Sequence, residues 1–440
     1  MTPRAAPARP VVEMSEWQTR ELALTRPLSA ADRRLAEELR AGSRVAIDEL
    51  GSGLRITSRE WAGVVRLEAA EIRIRPKQAG GERAALRMLD HVLGIGGLNA
   101  LAFSSEVGAM ADGPNLVDLI GILLADAAER ILRDGLMHDY VTREEELPSL
   151  RGRLRFTDQV RTRYGEIDRL LCRYDEHESD IDENRLVAIG LEIARRVCSD
   201  AEVRRRTARL HAVYSEACAP DRFEADRVRA TLTYDRRNER YRAVHRLAWL
   251  FVDQQRVHDL FAPGDVRTFA FLIDMNALFE RFVTRLLEDL VAGSQVRVRA
   301  QHRERSIILD ESTGATYSDA IPDLLLEAGI PPRRIPVDAK YKLYDGRRID
   351  PADVHQAFLY AFGYGDDRGM SSGGGGRTAW IIYPGSRDST GHRLRIQQVG
   401  GTLGARIRAV GLDVDAALSW LEGRGTARPL AELEAAARTA

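Results

Sequence analysis

The feature that most constrains the fold of this chain is an aspartate and a lysine two positions apart, Asp338 and Lys340, in a stretch that reads as a strand. Side chains alternate across a strand, so this spacing places both on one face of a sheet. The lysine is unexpected, because arginine supplies nearly every other positive charge. Of the 65 lysines and arginines, only Lys77, Lys340 and Lys342 are lysines. Lysine is a compact ammonium whose pKa shifts readily, whereas arginine is a wide planar cation. A lysine here therefore indicates a place where a guanidinium cannot substitute.

A second aspartate precedes this pair in the segment Ile321-Pro322-Asp323. The two segments together read as P-D, a gap, and D-x-K, which is the acid–acid–lysine pattern of a large group of metal-dependent nucleases. Such nucleases use one or two divalent ions, which lower the pKa of the attacking water and neutralise developing charge on the phosphate. The competing interpretation is that two of the three lysines fell together by chance on an exposed strand.

Each residue of the pattern has an expected role in such a site. Mg²⁺ prefers hard oxygen ligands and keeps several waters, so Asp323 and Asp338 are expected to supply carboxylate oxygens from neighbouring strands. Ala339 can offer its backbone carbonyl to the same metal. Lys340 is expected to orient the attacking water or to contact the phosphate. Lys342 shares this face one step further out, where contact with the DNA backbone is the more natural role.

Three further residues are candidates for supporting roles. Gln356 and Tyr360 lie four apart on a helix predicted after the D-x-K strand, so they share one face that could lie over the site. The alternative is that Tyr360 is a packing residue and Gln356 a solvated one. Glu280 lies on the flank of an amphipathic helix predicted over 271–291. It could be a further acid for the metal, or an ordinary solvent-facing glutamate.

Patterning divides the chain into regions of different character. Short runs with period-two alternation predict a β-rich domain near the N-terminus, and helical periodicity dominates the middle. Towards the C-terminus a helix, several strands, a helix and more strands predict a mixed sheet, so the fold class is α/β (α+β). The expected regions are a flexible arm at 1–20, a small β-rich domain at 21–82, a mainly helical region for partner docking at 83–265, a mixed-sheet domain at 266–405 and a helical tail at 406–440.

Individual elements can be predicted in the C-terminal region. Asp350 as N-cap and Pro351 at the first helical position predict a helix that runs to about residue 364. A Gly- and Ser-rich stretch at 365–376 predicts a mobile loop, and a final helix is expected near 414–421. Strands are predicted at 296–299, 306–310, 320–326, 335–343, 379–383 and 393–399.

Composition excludes several classes of protein. A net charge of -1 and a pI of about 6.8 do not indicate a bulk nucleic-acid binder, so any basic surface must be local. No apolar stretch approaches the length of a membrane span, and no signal peptide is recognisable. Cys172, Cys198 and Cys218 fit neither a disulfide framework nor a zinc pattern, which favours a reducing cytoplasm. No G-x-x-x-x-G-K-[ST] segment occurs, so this chain is not expected to bind a nucleotide itself.

Several longer motifs occur together in this chain. They are Pro322-Asp323, Asp338-Ala339-Lys340-Tyr341-Lys342, Gln356 with Tyr360, Leu278-Phe279-Glu280-Arg281-Phe282, and Ile72-Arg73-Ile74-Arg75-Pro76-Lys77. The combination resembles the McrC family, the nuclease subunits of McrBC-type (type IV) restriction systems that cut modified DNA. The resemblance implies a PD-(D/E)xK restriction-endonuclease-like core. It also implies a partner, a hexameric McrB-like AAA+ GTPase that recognises the double-stranded DNA, binds McrC through the McrC N-terminal region and is stimulated by it.

Two other functions compete with a McrC-like nuclease subunit. The chain could activate an AAA+ NTPase without cutting DNA, although the intact acid–acid–lysine set argues against a nuclease site that has lost its activity. It could also be a stand-alone DNA repair nuclease of the same fold. The roughly 270 residues before the nuclease pattern, and the lack of a motor in this chain, argue for a partner instead.

Overall fold

A computed structural model describes residues 9–77, 81–94, 115–165, 168–254, 268–330, 332–344, 347–365, 377–385, 389–400 and 403–438. In these ranges helices mix with several separate sheets, which confirms the expected α+β class. One large apolar core runs from the middle helices to the C-terminal sheet, and a second core fills the N-terminal region.

Two sheets and one helix build the N-terminal region. Its elements are β1 (Val11–Ser15), β2 (Thr19–Ala23), α1 (Ala30–Ala41), β3 (Val45–Leu50), β4 (Gly53–Ser58), β5 (Trp61–Arg66) and β6 (Glu71–Arg75). Strands β2, β4 and β3 form one sheet in that order, and β1, β6 and β5 belong to the other. The flexible arm expected at 1–20 is wrong from residue 11 onward, because β1 pairs in parallel with β6 and buries Met14 in the core. Residues 1–8 lie outside the described part of the chain.

The last strand of the second N-terminal sheet comes from far along the chain. β10 (Phe269–Asp274) pairs antiparallel with β5 and completes the order β1-β6-β5-β10. The helix expected over 271–291 therefore begins later, as α9 (Met275–Val291), and the Asp274 carboxylate accepts the Ala277 N–H at 3.0 Å. Gly63 permits the close pairing, because a Cβ there would lie 2.0 Å from the Phe271 carbonyl oxygen. The expected boundary at 265–266 thus separates a strand from the sheet to which it belongs.

Helices fill most of the middle region, but a three-stranded sheet also lies there. The helices are α2 (Gly81–Leu93), α3 (Leu116–Asp134), α4 (Phe156–Thr162), α5 (Asp182–Val197), α6 (Ala201–Ala217), α7 (Ala225–Thr231) and α8 (Arg242–Val252). The sheet has the order β7-β9-β8, from β7 (Asp139–Leu147), β8 (Arg153–Leu154) and β9 (Leu170–Glu178). Charged residues line much of both faces of β7 and β9, so no apolar periodicity indicated these strands. Cys172, Cys198 and Cys218 are free and buried.

The C-terminal region is a mixed six-stranded sheet between helices. Its elements are β11 (Arg297–Ala300), β12 (Glu304–Leu309), β13 (Thr316–Ala320), β14 (Leu324–Ala328), β15 (Arg333–Ala339), α10 (Pro351–Tyr364), β16 (Thr378–Pro384), β17 (Ser389–Gln397), β18 (Leu403–Leu412), α11 (Val414–Leu421) and α12 (Ala431–Arg438). The sheet order is β11-β14-β15-β16-β18-β17, with β15, β16 and β18 parallel. Helix α10 packs on one face, and α9 and α12 pack on the other. β12 and β13 form a separate hairpin.

Three element predictions in this region are wrong in detail. The helical tail expected at 406–440 begins with β18, whose alternation of buried Ala405, Ile407 and Ala409 with arginines is a strand pattern. The single strand expected at 320–326 is two strands, β13 and β14, separated by residues 321–323. The strand expected at 335–343 ends at Ala339. The last two differences place Asp323 and Lys340 at strand ends, where side chains are less enclosed.

Other predictions hold or fall outside the described residues. Asp350 caps α10 by accepting the Ala352 N–H at 3.0 Å, and α10 ends at Tyr364 as expected. The helix expected near 414–421 is confirmed as α11. Nearly all of the loop expected at 365–376 lies outside the described residues. Within the described residues no helix combines the length and the apolar character needed to cross a membrane.

Candidate active site

Two aspartates lie side by side where β14 and β15 pair. Leu324 is registered with Val337, so Asp323, one residue earlier, comes next to Asp338, one residue later. The Ala339 N–H donates to the Asp323 Oδ2 at 2.8 Å and fixes that carboxyl against β15. Asp338 is buried within the sheet. The geometry therefore brings together the two acids that the sequence pattern singled out.

The environment of the two acids is electrostatically unfavourable. Burial, reinforced by the neighbouring charge of Asp338, raises the pKa of Asp323 to about 8. The Asp338 Oδ1 is buried and has no hydrogen-bond donor among the described residues. Buried carboxylate oxygens normally have a partner, so this pair needs either a cation or a proton held between the two carboxyl groups.

Lys340 supplies one cation at this site. Its Nζ lies 2.8 Å from the Asp338 Oδ2, so the two side chains share one side of the sheet as the alternation predicted. Burial acts to lower the pKa of Lys340, but the Asp338 carboxylate outweighs it and the pKa is raised, so the ammonium stays charged. Its backbone N–H donates to the Ile382 carbonyl at 2.8 Å, which holds the residue beside β16 although β15 has ended.

Lys342 is paired with two other acids. Its Nζ lies 2.8 Å from the Asp353 Oδ2 and 3.5 Å from the Asp350 Oδ2, both at the start of α10. The side chain is 45% exposed, so it remains reachable by a ligand from solvent. Tyr341, between the two lysines, is buried on the opposite side and packs against Phe279, with ring centroids 5.9 Å apart.

Gln356 and Tyr360 share one face of α10, as their spacing predicted. The Gln356 Nε2 donates to the Tyr360 hydroxyl at 2.9 Å. That hydroxyl donates to the Ile321 carbonyl at 2.7 Å, two residues before Asp323. Tyr360 is buried. The pair therefore fixes the segment that carries Asp323 rather than reaching the two carboxylates by hydrogen bonds.

Glu280 is near the site through a residue that the sequence did not indicate. The Gln301 side chain donates to the Glu280 Oε1 at 3.0 Å, and the Gln301 backbone N–H donates to the Asp323 carbonyl at 2.8 Å. The charge of Glu280 is also the smallest contribution that raises the pKa of Asp323. Gln301 has a left-handed backbone with φ of 47°. No pattern in the sequence marks a single left-handed glutamine as a site residue.

The donor set fits a hard divalent cation. Among the described residues no group of three or more His, Cys, Asp or Glu side chains forms a ready-made metal cluster. Asp323, Asp338 and the Ala339 carbonyl offer only oxygen atoms as ligands. The Asp338 Oδ1 has no hydrogen-bond donor among the described residues. Mg²⁺ is commonly held by one or two carboxylates, with waters and phosphate oxygens completing its shell. Two acids and a carbonyl therefore suffice for Mg²⁺, and Glu280 is not needed as a direct ligand.

Comparison with known proteins bears on the fold and on the family. One similar chain comes from a structure described as the refined half-complex from a tetradecameric assembly of Thermococcus gammatolerans McrB AAA+ hexamers with bound McrC. It has a TM-score of 0.60 and 17% identity over 94% of this chain and 99% of that one. That likeness shows the fold. A chain from the cryo-EM structure of the Thermococcus gammatolerans McrBC complex has a TM-score of 0.43 and 20% identity over 64% of this chain and 88% of that one. None of the curated proteins matches.

The family assignment comes from the sequence itself. Residues 56–384 match the model of the family described as McrBC 5-methylcytosine restriction system component. The matched span includes β5 and β6 of the N-terminal region, the middle helices and the candidate site. This confirms the resemblance indicated by the motifs. The chain belongs to the McrBC 5-methylcytosine restriction system component family.

Proposed function

We propose that this chain is a McrC-like endonuclease subunit that cleaves DNA by Mg²⁺-dependent phosphodiester hydrolysis. The observation that carries the proposal is the convergence of Asp323, Asp338 and Lys340 at the adjoining ends of β14 and β15 in a mixed sheet. The sheet lies between α9 and α10, an arrangement that supports a PD-(D/E)xK restriction-endonuclease-like core. A buried carboxylate beside a half-buried one destabilises the fold, so its presence supports a functional role.

Each side chain has a chemical task in this proposal. Asp323, Asp338 and the Ala339 carbonyl would hold Mg²⁺, which supplies Lewis-acid stabilisation of the phosphate and a water of lowered pKa. Lys340 keeps its ammonium charged beside Asp338 and can orient water or bind a phosphate oxygen. The Ala339 N–H fixes the rotation of the Asp323 carboxyl. Tyr360 and Gln301 fix the backbone on either side of Asp323, which limits misplacement of the ligands.

Cleavage by site variants tests this proposal. Asp338→Ala is expected to abolish nicking and linearisation of plasmid DNA in Mg²⁺, and chelation by EDTA is expected to abolish wild-type cleavage reversibly. Glu311→Ala, an exposed acid on the β12–β13 hairpin of the same region, is the matched control and is expected to cut normally. Cleavage in Mg²⁺ that survives Asp338→Ala would exclude this site.

We further propose that the chain works on a hexameric McrB-like AAA+ GTPase. Family membership supports this, as does the likeness to a chain from an assembly of McrB AAA+ hexamers with bound McrC. The net charge of -1 supports it too, because non-specific DNA affinity comes from many cations that neutralise phosphates. A partner that holds the double-stranded DNA removes the need for a basic surface on this chain.

An exposed apolar surface in the middle region is a candidate for docking on that ring. At the far end of the β7–β9 sheet, Phe156 and Val160 on α4 are 69% and 41% exposed, and Tyr164 is 87% exposed. Leu150, in the turn before β8, is 60% exposed. Phe156 and Val160 are four apart and face the same way. Exposed apolar side chains that lie on and near one short helix are typical of a protein interface.

GTP turnover by the partner measures this contact. The double change Phe156→Ser with Tyr164→Ser is expected to reduce stimulation of the partner by about tenfold or more, because buried aromatic residues dominate interface energies. Tyr317→Ser, which alters a tyrosine that is 76% exposed on β13, is the matched control and should stimulate normally. Full stimulation by the double variant would place the docking surface elsewhere.

The two competing functions predict different results in the same assays. A non-cutting activator would stimulate GTP turnover and leave DNA intact under every metal condition. A stand-alone nuclease would cut DNA robustly without any NTPase. The nuclease-subunit proposal predicts cleavage that requires both the partner and Asp338.

A further inference from the structure

The third lysine of the chain also lies at the candidate site, although it comes from the N-terminal sheet. Lys77 follows β6, and its Nζ donates to the backbone carbonyl of Tyr341 at 3.0 Å. The same ammonium lies 4.6 Å from the centroid of the Tyr341 ring. Tyr341 stands between Lys340 and Lys342. All three lysines of the chain therefore contact or belong to one segment, residues 340–342.

A buried acid completes this contact. Glu16 follows β1, the parallel neighbour of β6, and is buried. Its Oε2 accepts the Lys77 backbone N–H at 2.8 Å and the Tyr341 hydroxyl at 3.1 Å. The ends of β1 and β6 thus bind Tyr341 through its carbonyl, its ring and its hydroxyl.

The segment held in this way is the one that carries Lys340. Other contacts also hold it: the Ala339 N–H is bonded to Asp323, and the Lys340 N–H is bonded to Ile382. The ammonium groups of Lys340 and Lys342 are paired with Asp338 and Asp353. The strand β15 has ended at Ala339, so no strand pairing continues through Tyr341. Removing the Lys77 side chain would remove one hydrogen bond and one ring contact from the residue next to Lys340.

We propose that Lys77 is a positioning residue that ties the N-terminal sheet to residues 340–342 and thereby sets the position of the Lys340 ammonium. This inference rests on the proposed function, in which Lys340 acts in phosphodiester hydrolysis. The link crosses from the N-terminal sheet to the candidate active site, so a displacement of β1 and β6 reaches Lys340 through two hydrogen bonds and one ring contact with Tyr341. Lys77 itself touches no reacting group and acts through Tyr341.

The scarcity of lysine makes a direct test possible. The full-length chain labelled with ¹³C at lysine Cε should give only three lysine signals, and Lys340→Arg identifies the one that belongs to Lys340. Lys77→Met keeps an unbranched stem against the Tyr341 ring but removes the ammonium. It is expected to remove one signal and to shift the Lys340 signal. Arg75→Ala, two residues earlier and paired with Glu13, is the matched control; it keeps all three lysine signals and should shift none of them.

Cleavage by the reconstituted complex gives the functional readout. Lys77→Met is expected to lower the single-turnover cleavage rate about tenfold or more, because small misplacements of catalytic groups are costly. DNA affinity and GTP turnover should stay at wild-type values, which a general folding defect would not allow. Lys77→Cys should be equally slow, and alkylation with bromoethylamine, which rebuilds an ammonium of lysine length, should restore the rate. The natural cysteines are buried and shielded from the reagent.

The outcomes separate this inference from the proposed function. An unmoved Lys340 signal in Lys77→Met overturns the positioning role whether or not the chain cuts DNA. So does a cleavage rate equal to that of the wild type. A wild-type complex that fails to cut DNA overturns the proposed function, while the lysine signals still decide whether Lys77 positions Lys340.

Discussion

Replacing Asp323 by asparagine should make the metal-free protein more stable while abolishing cleavage. Burial and the charge of Asp338 raise the pKa of Asp323 to about 8, so the folded protein retains a proton that the unfolded chain releases near its ordinary value of 3.8. Because the folded state binds more protons across this interval, stability falls as pH rises from about 4 to about 8. Asparagine removes this loss, and its side-chain oxygen can still accept the Ala339 N–H.

The size of the effect follows from the same pKa. Each pH unit between 3.8 and the working pH costs about 1.4 kcal/mol while the proton is retained. At pH 7 the interval of roughly three units sets an upper bound of about 4 kcal/mol, and structural relaxation is expected to leave about 2 kcal/mol or more. Near pH 4 the gain should vanish. The Asp338–Lys340 ion pair is untouched by the change, so no compensating loss is expected there.

Denaturant unfolding of the metal-free chain between pH 4 and pH 8 measures this prediction. The free energy of unfolding of Asp323→Asn should separate from that of the wild type progressively above pH 4. Asp353→Asn is the control of opposite sign, because the buried Asp353 carboxylate is bonded by Lys342 and by the Tyr344 hydroxyl. It should lose about 1–3 kcal/mol. A wild-type curve parallel to that of Asp323→Asn from pH 4 to pH 8 would refute the proposed crowding of two carboxylates.

Four other variants test separate parts of the account. Lys340→Arg should lower the cleavage rate about a hundredfold without loss of thermal stability, because a wide planar guanidinium cannot take the position of the compact lysine ammonium. A near-normal rate would contradict this. Gln356→Ala and Glu280→Ala should each slow cleavage by about tenfold or less, measured in single turnover, and unchanged rates together with unchanged calorimetric Mg²⁺ binding would make both residues purely structural. Gly63→Ala should destabilise the fold by about 3 kcal/mol or more in denaturant unfolding, because its Cβ would overlap the Phe271 carbonyl oxygen. A stable Gly63→Ala protein would show that β5 and β10 can separate at little cost.

Local patterns predicted the parts of the site that depend on local geometry. The period-two alternation was enough to place Asp338 and Lys340 on one side of a strand, and the four-residue spacing was enough to pair Gln356 with Tyr360. Asp350 and Pro351 located the start of α10, since capping is a property of a few neighbouring residues. These features need no knowledge of the rest of the chain.

Features that depend on distant residues were not predictable in this way. β10 pairs with β5 across some two hundred residues, and the apolar residues at its end fit the helical pattern of α9 equally well. Lys77 and Tyr341 are 264 positions apart, and nothing near either residue indicates their contact. β18 is different, because its alternation of alanine or isoleucine with arginine is visible in the sequence. The helical tail expected at 406–440 nevertheless included this segment.

The most direct test of the central claim is DNA cleavage and GTP turnover measured in the same reaction. The full-length chain, its AAA+ partner and modified plasmid DNA would be compared in Mg²⁺ with the Asp338→Ala chain in its place. We expect the wild-type complex to hydrolyse GTP and cut the DNA, and the Asp338→Ala complex to hydrolyse GTP at the same rate and leave the DNA intact. Equal cutting by both complexes would contradict the account, because the cleavage would then arise from a site other than the paired carboxylates of β14 and β15.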